Sequence, residues 1–210
     1  MNARLGRKEK SPAAKGPRGA KAAARATTRD RVLVARASIP AKPGPIWILV
    51  TEAGLREIRL SGEHKPTGKE LRARGWRLVR RPRWIAPVRK AIERYLEGRE
   101  QRLDLPLDLA FGTPFQRRVW EAARGIPYGQ VVSYADLAKR SGFANASRAV
   151  GNALGANPVP IVVPCHRIIH ADQSIGGFSS GLTWKRFLLE LERGQLEFTW
   201  KPRRRFFFAG

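Results

Sequence analysis

The chain has 210 residues, with 41 Lys and Arg against 17 Asp and Glu and a formal charge of +24 at pH 7. This excess is far more than solubility requires and indicates a polyanionic partner, with nucleic acid as the leading candidate. The length allows one large or two small domains, and no stretch is apolar enough for a membrane span or a secretory signal, so we expect a soluble protein.

Basic residues are concentrated at both ends of the sequence. Residues 1–29 contribute +8 and residues 201–210 contribute +4, so the rest of the chain keeps +12. We expect the tail 1–30 to stay disordered until it contacts phosphate, with a transit peptide as the alternative. The C-terminal tail, 201–210, predicts nonspecific phosphate contacts, and its three phenylalanines either pack on the body or form a sticky end.

The segment 31–106 predicts a small sheet-and-helix domain. Residues 31–36 alternate as in a strand, and residues 46–50 and 55–60 flank a Gly-containing turn, which is typical of a β-hairpin. Residues 83–96 place apolar side chains at helical spacing and therefore predict a helix.

Two further stretches of this half carry weaker signals. Residues 65–90 hold ten basic side chains and one Glu, with Trp76 and Trp84 between them. A nucleic-acid surface and a solvated basic loop both fit this composition, and the loop is the favoured interpretation. Residues 105–109 alternate again and predict a last strand before the second half.

The segment 107–200 predicts a mostly helical domain. Thr113 and Pro114 are typical of a helix start, because Thr caps and Pro suits the first helical position. Ser133 begins a capping-box pattern, with a short helix expected to end near Arg140, and residues 146–154 predict a second short helix after a Gly-containing turn. Two such helices are a helix-turn-helix candidate.

The second of these helices has an unusually smooth surface. Arg148 is its only charged side chain, and its other residues include Ala149, Gly151 and Asn152. A smooth helix can approach the backbone in a narrow minor groove, which predicts sequence-tolerant DNA binding. Close helix packing inside the protein explains the small residues equally well.

Cys165 is the only cysteine of the chain, and His166 and Arg167 follow it directly. Prolines restrict φ in the preceding apolar run, 158–164, so we expect Cys165 to emerge from a short buried strand with a defined direction. A single cysteine cannot form an internal disulfide, which favours a reducing, cytoplasmic location. Cys165 could be a small buried hydrophobe, but proton-accepting and positive neighbours favour a reactive thiolate.

The motifs of the second half together resemble the O6-alkylguanine-DNA alkyltransferases. They occur in the order of that family between about Leu105 and Glu192, whereas the first half resembles the family only in its pattern of strands and a helix. The matching motifs are Tyr128-Gly129-Gln130-Val131-Val132-Ser133-Tyr134, Arg148-Ala149-Val150-Gly151, Asn157-Pro158-Val159-Pro160, Pro164-Cys165-His166-Arg167 and Gly176-Gly177-Phe178-Ser179.

The resemblance implies an α+β protein with two domains. A ribonuclease-H-like sheet-and-helix domain without its own catalysis would precede a winged helix-turn-helix-like alkyltransferase domain. The protein would repair DNA by transferring an alkyl group from O6 of guanine irreversibly to Cys165, once per molecule. His166 would act as general base through a water, with Glu192 orienting it.

Further residues receive roles from the same resemblance. Arg148 would enter the base stack as the damaged base is flipped out, Tyr134 would contact phosphate and base, and Asn157 would act as a hinge before the cysteine. The implied DNA-binding set also includes Ser133, Ala149, Gly151 and Asn152. The implied substrate-binding set is Tyr134, Cys165, Ile168, Phe178 and Ser179.

The sequence departs from the family pattern at a few positions. Phe178 stands where Tyr is frequent, and Ser180 replaces a common Gly, which affects the shape of the loop that closes the pocket. Some relatives carry zinc in the N-terminal half, but here that half has no cysteine and only His64, so no metal or other cofactor is expected. His170 matches no family role and is expected on the surface.

Three functions of different class fit these features. The favoured one is single-turnover alkyl transfer by a monomer acting on double-stranded DNA, mainly through the minor groove, in the cytoplasm or the nucleoid of a prokaryote. The second is a lesion binder without chemistry, against which the presence of Cys165 argues. The third is an architectural DNA-binding protein, which would leave the coincidence of all these motifs unexplained.

Overall fold

A computed structural model describes residues 32–60, 65–80 and 82–194. These residues belong to one compact unit that begins at Arg31. They form an α+β fold, as predicted, in which a sheet with two helices precedes a helical part. The first part consists of β1 (Val32–Ile39), β2 (Ile46–Thr51), β3 (Gly54–Arg59), α1 (Gly68–Ala73), β4 (Trp76–Leu78) and α2 (Ile85–Leu96).

The sheet of the first part has the strand order β3-β2-β1-β4. The predicted hairpin is confirmed, because β2 pairs antiparallel with both β1 and β3. The predicted helix is also confirmed, and α2 buries Val88, Ile92 and Tyr95 on one face. These side chains recur every three or four residues, so a single helical face covers the sheet.

The interpretation of residues 65–90 as a basic loop was wrong. This stretch contains α1, strand β4 and the first turns of α2. Thr67 caps α1, and Trp76 on β4 is buried, with the guanidinium of Arg74 lying 3.6 Å from the centre of its ring. Because β4 pairs parallel with the distant β1, its pairing was not visible in the local sequence.

The second part contains the three predicted helices, α3 (Pro114–Arg124), α4 (Tyr134–Arg140) and α5 (Ser147–Gly155). It also contains a fourth helix that the sequence analysis did not predict, α6 (Leu182–Glu192), and two short parallel strands, β5 (Val132–Ser133) and β6 (Ile168–Ile169). Thr113 and Gln116 form a complete capping box at α3. Ser133 caps α4 by accepting from the backbone N–H of Asp136, and its hydroxyl donates to the Asp136 carboxylate.

Two strand predictions near the site were wrong. Residues 105–109 form no strand and contribute only an isolated bridge between Leu107 and Leu55. Cys165 does not emerge from a strand but begins a 3-10 turn, Cys165–Arg167, directly after Pro164. Proline lacks the N–H that would continue a strand ladder, which fits a turn at this point and β6 beyond it.

The two parts share one apolar core, which positions the site. The backbone N–H of Ile58 on β3 donates to the carbonyl of Pro158 at 2.7 Å. The indole N–H of the buried Trp120 donates to the carbonyl of Ala153 at 2.9 Å and so fixes α3 against α5. Within the described part of the chain, no helix combines the length and apolarity of a membrane span.

Candidate active site

Cys165 is held in place by the side chain of Asn157, which follows α5. The Asn157 amide donates to the Cys165 sulfur at 3.1 Å and to the carbonyl of Val163 at 2.9 Å. Its carbonyl oxygen accepts from the backbone N–H of Val159 at 3.0 Å. Asn157 therefore links the end of α5 to the turn before the cysteine and also contacts the sulfur, a contact that the hinge role did not predict.

Burial controls the protonation of Cys165, which is only 6% exposed. Burial raises the pKa of its thiol to about 11, although the Asn157 amide and the positive charge of Lys185 act in the opposite direction. A thiol is a far weaker nucleophile than a thiolate. Chemistry at neutral pH therefore requires a base near the sulfur.

His166 has the arrangement of such a base. Its Nε2 lies 2.7 Å from Oε1 of Glu192, and because an ionised carboxylate only accepts hydrogen bonds, Nε2 carries the proton. Nδ1 then holds the lone pair, and this atom is buried without a hydrogen-bond partner. Burial lowers the pKa of His166, and the contact with Glu192 opposes this shift, so the ring is neutral and able to accept a proton.

Glu192 is the buried carboxylate that contacts His166. Burial opposes its ionisation, but the hydrogen bonds and charges of His166 and Arg167 outweigh burial and lower the pKa of Glu192 to about 2. The Arg167 guanidinium donates to both carboxylate oxygens at 2.8 to 3.1 Å and also to the carbonyl of Ile126 at 2.6 Å. A buried carboxylate with several donors of this kind stays ionised.

Two further donors complete the surroundings of Glu192, and the sequence did not reveal them. The hydroxyl of the buried Tyr95 on α2 donates to Oε1, and the backbone N–H of Gly129 donates to Oε2 at 3.0 Å. Burial and the charge of Glu192 raise the pKa of Tyr95 well above its usual value, so Tyr95 remains a donor. Through Tyr95 the first part of the chain takes part in the site.

Lys185 is a second residue that sequence reasoning missed. It is fully buried on α6, and its ammonium donates to the carbonyls of Ile168 at 2.6 Å and Gly177 at 3.2 Å. Burial lowers the pKa of Lys185 to about 8. The only signal in the sequence was a lysine between apolar positions of α6, which is more often read as a side chain directed to solvent.

A cavity of about 220 Å³ opens in front of Cys165. Four residues of the predicted substrate or DNA sets line it with Cys165: Tyr134, Gly151, Phe178 and Ser179. The predicted Ile168 is not among the lining residues, but its carbonyl is fixed by Lys185. The exposed His170 packs its ring against Tyr134, with the ring centres 5.4 Å apart. The cavity thus offers an aromatic side wall beside the thiol.

The remaining predicted DNA contacts lie on α4 and α5. Arg148, Ala149 and Asn152 are exposed on α5, and Ser133 is the cap of α4. Gly151 faces inward, since a Cβ atom there would stand 3.7 Å from the Tyr134 ring. The small residues of α5 therefore fit both interpretations given above. The exposed positions are accessible to a ligand such as DNA, whereas Gly151 packs closely against Tyr134.

We expect Gly176→Ala to weaken the loop that borders the cavity. Gly176 has φ +67°, and an added Cβ would lie 3.3 Å from the His170 ring and the Tyr134 hydroxyl. The strain predicts a loss of about 1–3 kcal/mol in the free energy of unfolding. Gly177→Ala is the matched control, because nothing lies within 4 Å of its added Cβ. Equal urea midpoints for the two variants would contradict this account.

We also expect Lys185→Met to make Cys165 less reactive. The change keeps the length of the side chain but removes the positive charge that favours the thiolate. Each unit by which the pKa of Cys165 rises slows its alkylation by iodoacetamide at pH 7 about tenfold. The exposed Lys139→Met serves as control, and an unchanged alkylation rate in Lys185→Met would show that the charge has no influence on the sulfur.

Comparison with known proteins matches two family descriptions, one for each part of the chain. Residues 35–109 match the ribonuclease-like domain of 6-O-methylguanine DNA methyltransferase. Residues 114–194 match the DNA binding domain of 6-O-methylguanine DNA methyltransferase. The first match agrees with the sheet and α2, and the second contains every residue of the Cys165 site except Tyr95.

Curated relatives carry the name methylated-DNA–protein-cysteine methyltransferase. The protein from Mycolicibacterium paratuberculosis is 45% identical over 57% of this chain and 70% of its own length. The protein from Methanosarcina acetivorans is 38% identical over 71% of this chain and 92% of its own length. The similarity to both relatives thus extends over at least 70% of their own length.

Solved structures show the same likeness in three dimensions. The Mycobacterium tuberculosis O6-methylguanine methyltransferase is 34% identical, covers 79% of this chain and 96% of its own, and gives a TM-score of 0.66. A structure of the M. tuberculosis protein in complex with DNA is 36% identical over 77% of this chain and 94% of its own, with a TM-score of 0.66.

Proposed function

The chain belongs to the family of methylated-DNA–protein-cysteine methyltransferases, and from this premise we propose that Cys165 is its alkyl acceptor. The protein is a DNA-repair enzyme that transfers an alkyl group from DNA to a cysteine. The observation that carries the assignment to Cys165 is the buried, unpartnered Nδ1 of His166, the residue that directly follows the only cysteine of the chain. A base with no other hydrogen-bond partner is what a thiol of raised pKa requires.

The reaction is a displacement at the alkyl carbon attached to O6 of guanine. His166 takes the thiol proton at Nδ1 through a water, and the Cys165 sulfur forms a bond to the carbon while the bond between carbon and O6 breaks. The electron pair stays on guanine, which then takes up a proton. The product is a thioether at Cys165 and an unmodified guanine, so each molecule reacts once.

The Glu192 and Arg167 pair prepares His166 for this step. When His166 accepts the proton, its positive charge forms next to a carboxylate that is already ionised and 2.7 Å away. The charge is therefore stabilised without rearrangement of the surrounding groups. Burial raises the pKa of Tyr134, and the negative charge of the Cys165 thiolate raises it further. The Tyr134 hydroxyl therefore stays protonated and can donate a hydrogen bond to the guanine.

The substrate is O6-alkylguanine flipped out of double-stranded DNA into the cavity beside Cys165. A base inside a duplex cannot reach a buried sulfur, so extrusion is required. Exposed positions of α5, with Ser133 at the start of α4, face the minor groove in this proposal, and Arg148 fills the gap in the stack. Small residues on α5 allow the close approach that a narrow groove demands.

We expect Arg148→Ala to reduce transfer from duplex DNA at least tenfold while sparing the chemistry. Arg148 is exposed on α5, so its removal should weaken base extrusion and leave the fold unchanged. Arg77→Ala removes an exposed arginine from β4 and serves as control. Rates on the duplex should be compared with rates on free O6-benzylguanine, which needs no extrusion. An equal loss on both substrates would contradict the assigned role.

The proposal also assigns the remaining parts of the chain. Residues 31–106 act as a scaffold that contributes Tyr95, and residues 107–200 form the alkyltransferase domain. The protein works as a monomer without cofactor in the cytoplasm, and at the nucleoid if its source is a prokaryote. The basic ends, 1–30 and 201–210, lie outside the described residues, and their phosphate contacts remain a prediction.

A repair assay on the DNA tests the function directly. A duplex with O6-methylguanine inside a restriction site that methylation blocks should become cleavable after incubation with the protein. The cleavable fraction should rise linearly with added protein and stop at one duplex per protein molecule. Tight binding to the lesion without restored cleavage would instead identify a nonreactive lesion binder, and binding that ignores the lesion would identify an architectural protein.

A further inference from the structure

An apolar pocket of about 320 Å³ lies where the end of β1, helix α2 and the last turns of α6 meet. It shares no lining residue with the Cys165 cavity. Its apolar wall is formed by Ile39, Pro40, Ala41, Leu96, Phe187 and Leu191. The mechanism does not use this pocket, although α6 also carries Lys185 and Glu192.

Three glutamates surround this apolar wall. Glu93, Glu97 and Glu190 line the pocket, and Lys42 is the basic residue beside them. In a chain with 41 Lys and Arg and 17 Asp and Glu, it is unusual that acidic side chains outnumber basic ones among the residues that line a pocket. Glu93 pairs with Arg89 at 2.8 Å and Glu97 with Arg99 at 3.2 Å, but both pairs are exposed and pairs of this type exchange partners at little cost.

Glu190 lies closest in sequence to the end of α6 among the three glutamates. It is partly buried beside the apolar wall, and this burial raises the pKa of its carboxyl although Arg186 and Arg193 lower it. A ligand that brings positive charge together with apolar surface would satisfy both the carboxylate and the wall.

The chain itself contains a segment of this chemistry. Residues 201–208 read Lys-Pro-Arg-Arg-Arg-Phe-Phe-Phe, with four cations directly before three aromatic rings. The last described residue is Gly194, just after the end of α6, and Leu191 at that end lines the pocket. The intervening residues 195–200 can span about 20 Å when extended, so the segment is tethered close to the pocket at a high effective concentration.

We propose that residues 201–208 fold back onto this pocket of the same chain, with phenylalanines against the apolar wall and arginines beside the glutamates. The contact would hold the end of α6, the helix that positions Glu192. It accounts for the terminal phenylalanines, which neither DNA binding nor alkyl transfer uses. A second copy of the chain and a small apolar molecule are the other occupants that the test must distinguish.

Photo-crosslinking of the full-length chain tests the proposal. With p-benzoylphenylalanine in place of Phe207, we expect crosslinks within one molecule to peptides containing residues 39–42, 96–97 or 187–191. Glu97→Gln combined with Glu190→Gln should lower the yield at least threefold. Glu52→Gln combined with Glu121→Gln removes two exposed glutamates elsewhere and should leave the yield unchanged.

Two results would overturn the proposal. Crosslinks spread over the surface, or insensitive to the loss of Glu97 and Glu190, would show that the segment does not occupy the pocket. Crosslinked dimers, with a yield that rises with protein concentration, would show that the segment reaches a second copy. The yields do not depend on alkyl transfer, so failure here is separate from failure of the proposed function.

Discussion

Glu192→Gln is expected to lower both the transfer rate and the stability of the protein. The amide keeps the shape of the side chain but removes the charge that pairs with Arg167 and stabilises protonated His166. A buried guanidinium without its partner costs about 3–5 kcal/mol in the free energy of unfolding. Loss of general-base assistance predicts a transfer rate about 10²–10⁴-fold lower.

The measurements for Glu192→Gln are a urea unfolding curve and single-turnover transfer to Cys165. The stability effect should disappear in acid, with the sign set by the lowered pKa of Glu192. In the folded protein this pKa is about 2, below the ordinary value of 4.5, so the carboxylate stabilises the fold above pH 4.5 and loses that contribution as the pH falls towards 2. Glu121→Gln, which changes an exposed glutamate on α3, is the control. A variant that is as stable as the natural protein and transfers at the normal rate would contradict the roles assigned to Glu192 as partner of Arg167 and His166.

His166→Gln is expected to lower the rate about 10²–10⁴-fold with a much smaller loss of stability. The amide of Gln can still donate to Glu192, so the buried ion pair with Arg167 keeps its charges and most of its hydrogen bonds. What the variant loses is the lone pair at Nδ1. A rate loss without a matching stability loss therefore separates proton transfer from structural support.

The pH dependence of His166→Gln gives a second test. Burial lowers the pKa of His166, so the natural protein should keep its transfer rate as the pH falls from 7 to 6.5, where an ordinary histidine would become half protonated. The variant depends on ionisation of the thiol itself, whose pKa is about 11. Its rate should rise about tenfold per pH unit between pH 7 and 9. A flat profile in the variant would show that another base serves Cys165.

Local sequence predicted α3, α4 and α5 because their signals are local, whereas α6 was not predicted. Thr113 with Pro114 and Ser133 with Asp136 mark helix starts by their own side chains, and the structure confirms both caps. Cys165 and His166 could be identified as a candidate pair from the sequence because they are adjacent in the chain. The parallel pairing of β4 with β1 joins residues far apart in the chain, and no local pattern encodes it.

The missed part of the site is non-local in the same way. Tyr95 contacts Glu192 across 97 residues, and Lys185 became important only when folding buried its ammonium against two carbonyls. The resemblance to known alkyltransferases supplied Asn157 through a matching motif and Glu192 through its place in the family pattern. It did not supply the contact of Asn157 with the sulfur, which depends on the turn before Cys165.

Intact mass spectrometry tests the central claim most directly. The protein is mixed with duplex DNA containing one O6-methylguanine, and peptide mapping locates any change, with Cys165→Ser as control. We predict a gain of one methyl group per molecule, confined to Cys165 and absent in the control. An unchanged mass after complete binding of the lesion, or a methyl group on any other residue, would contradict the account.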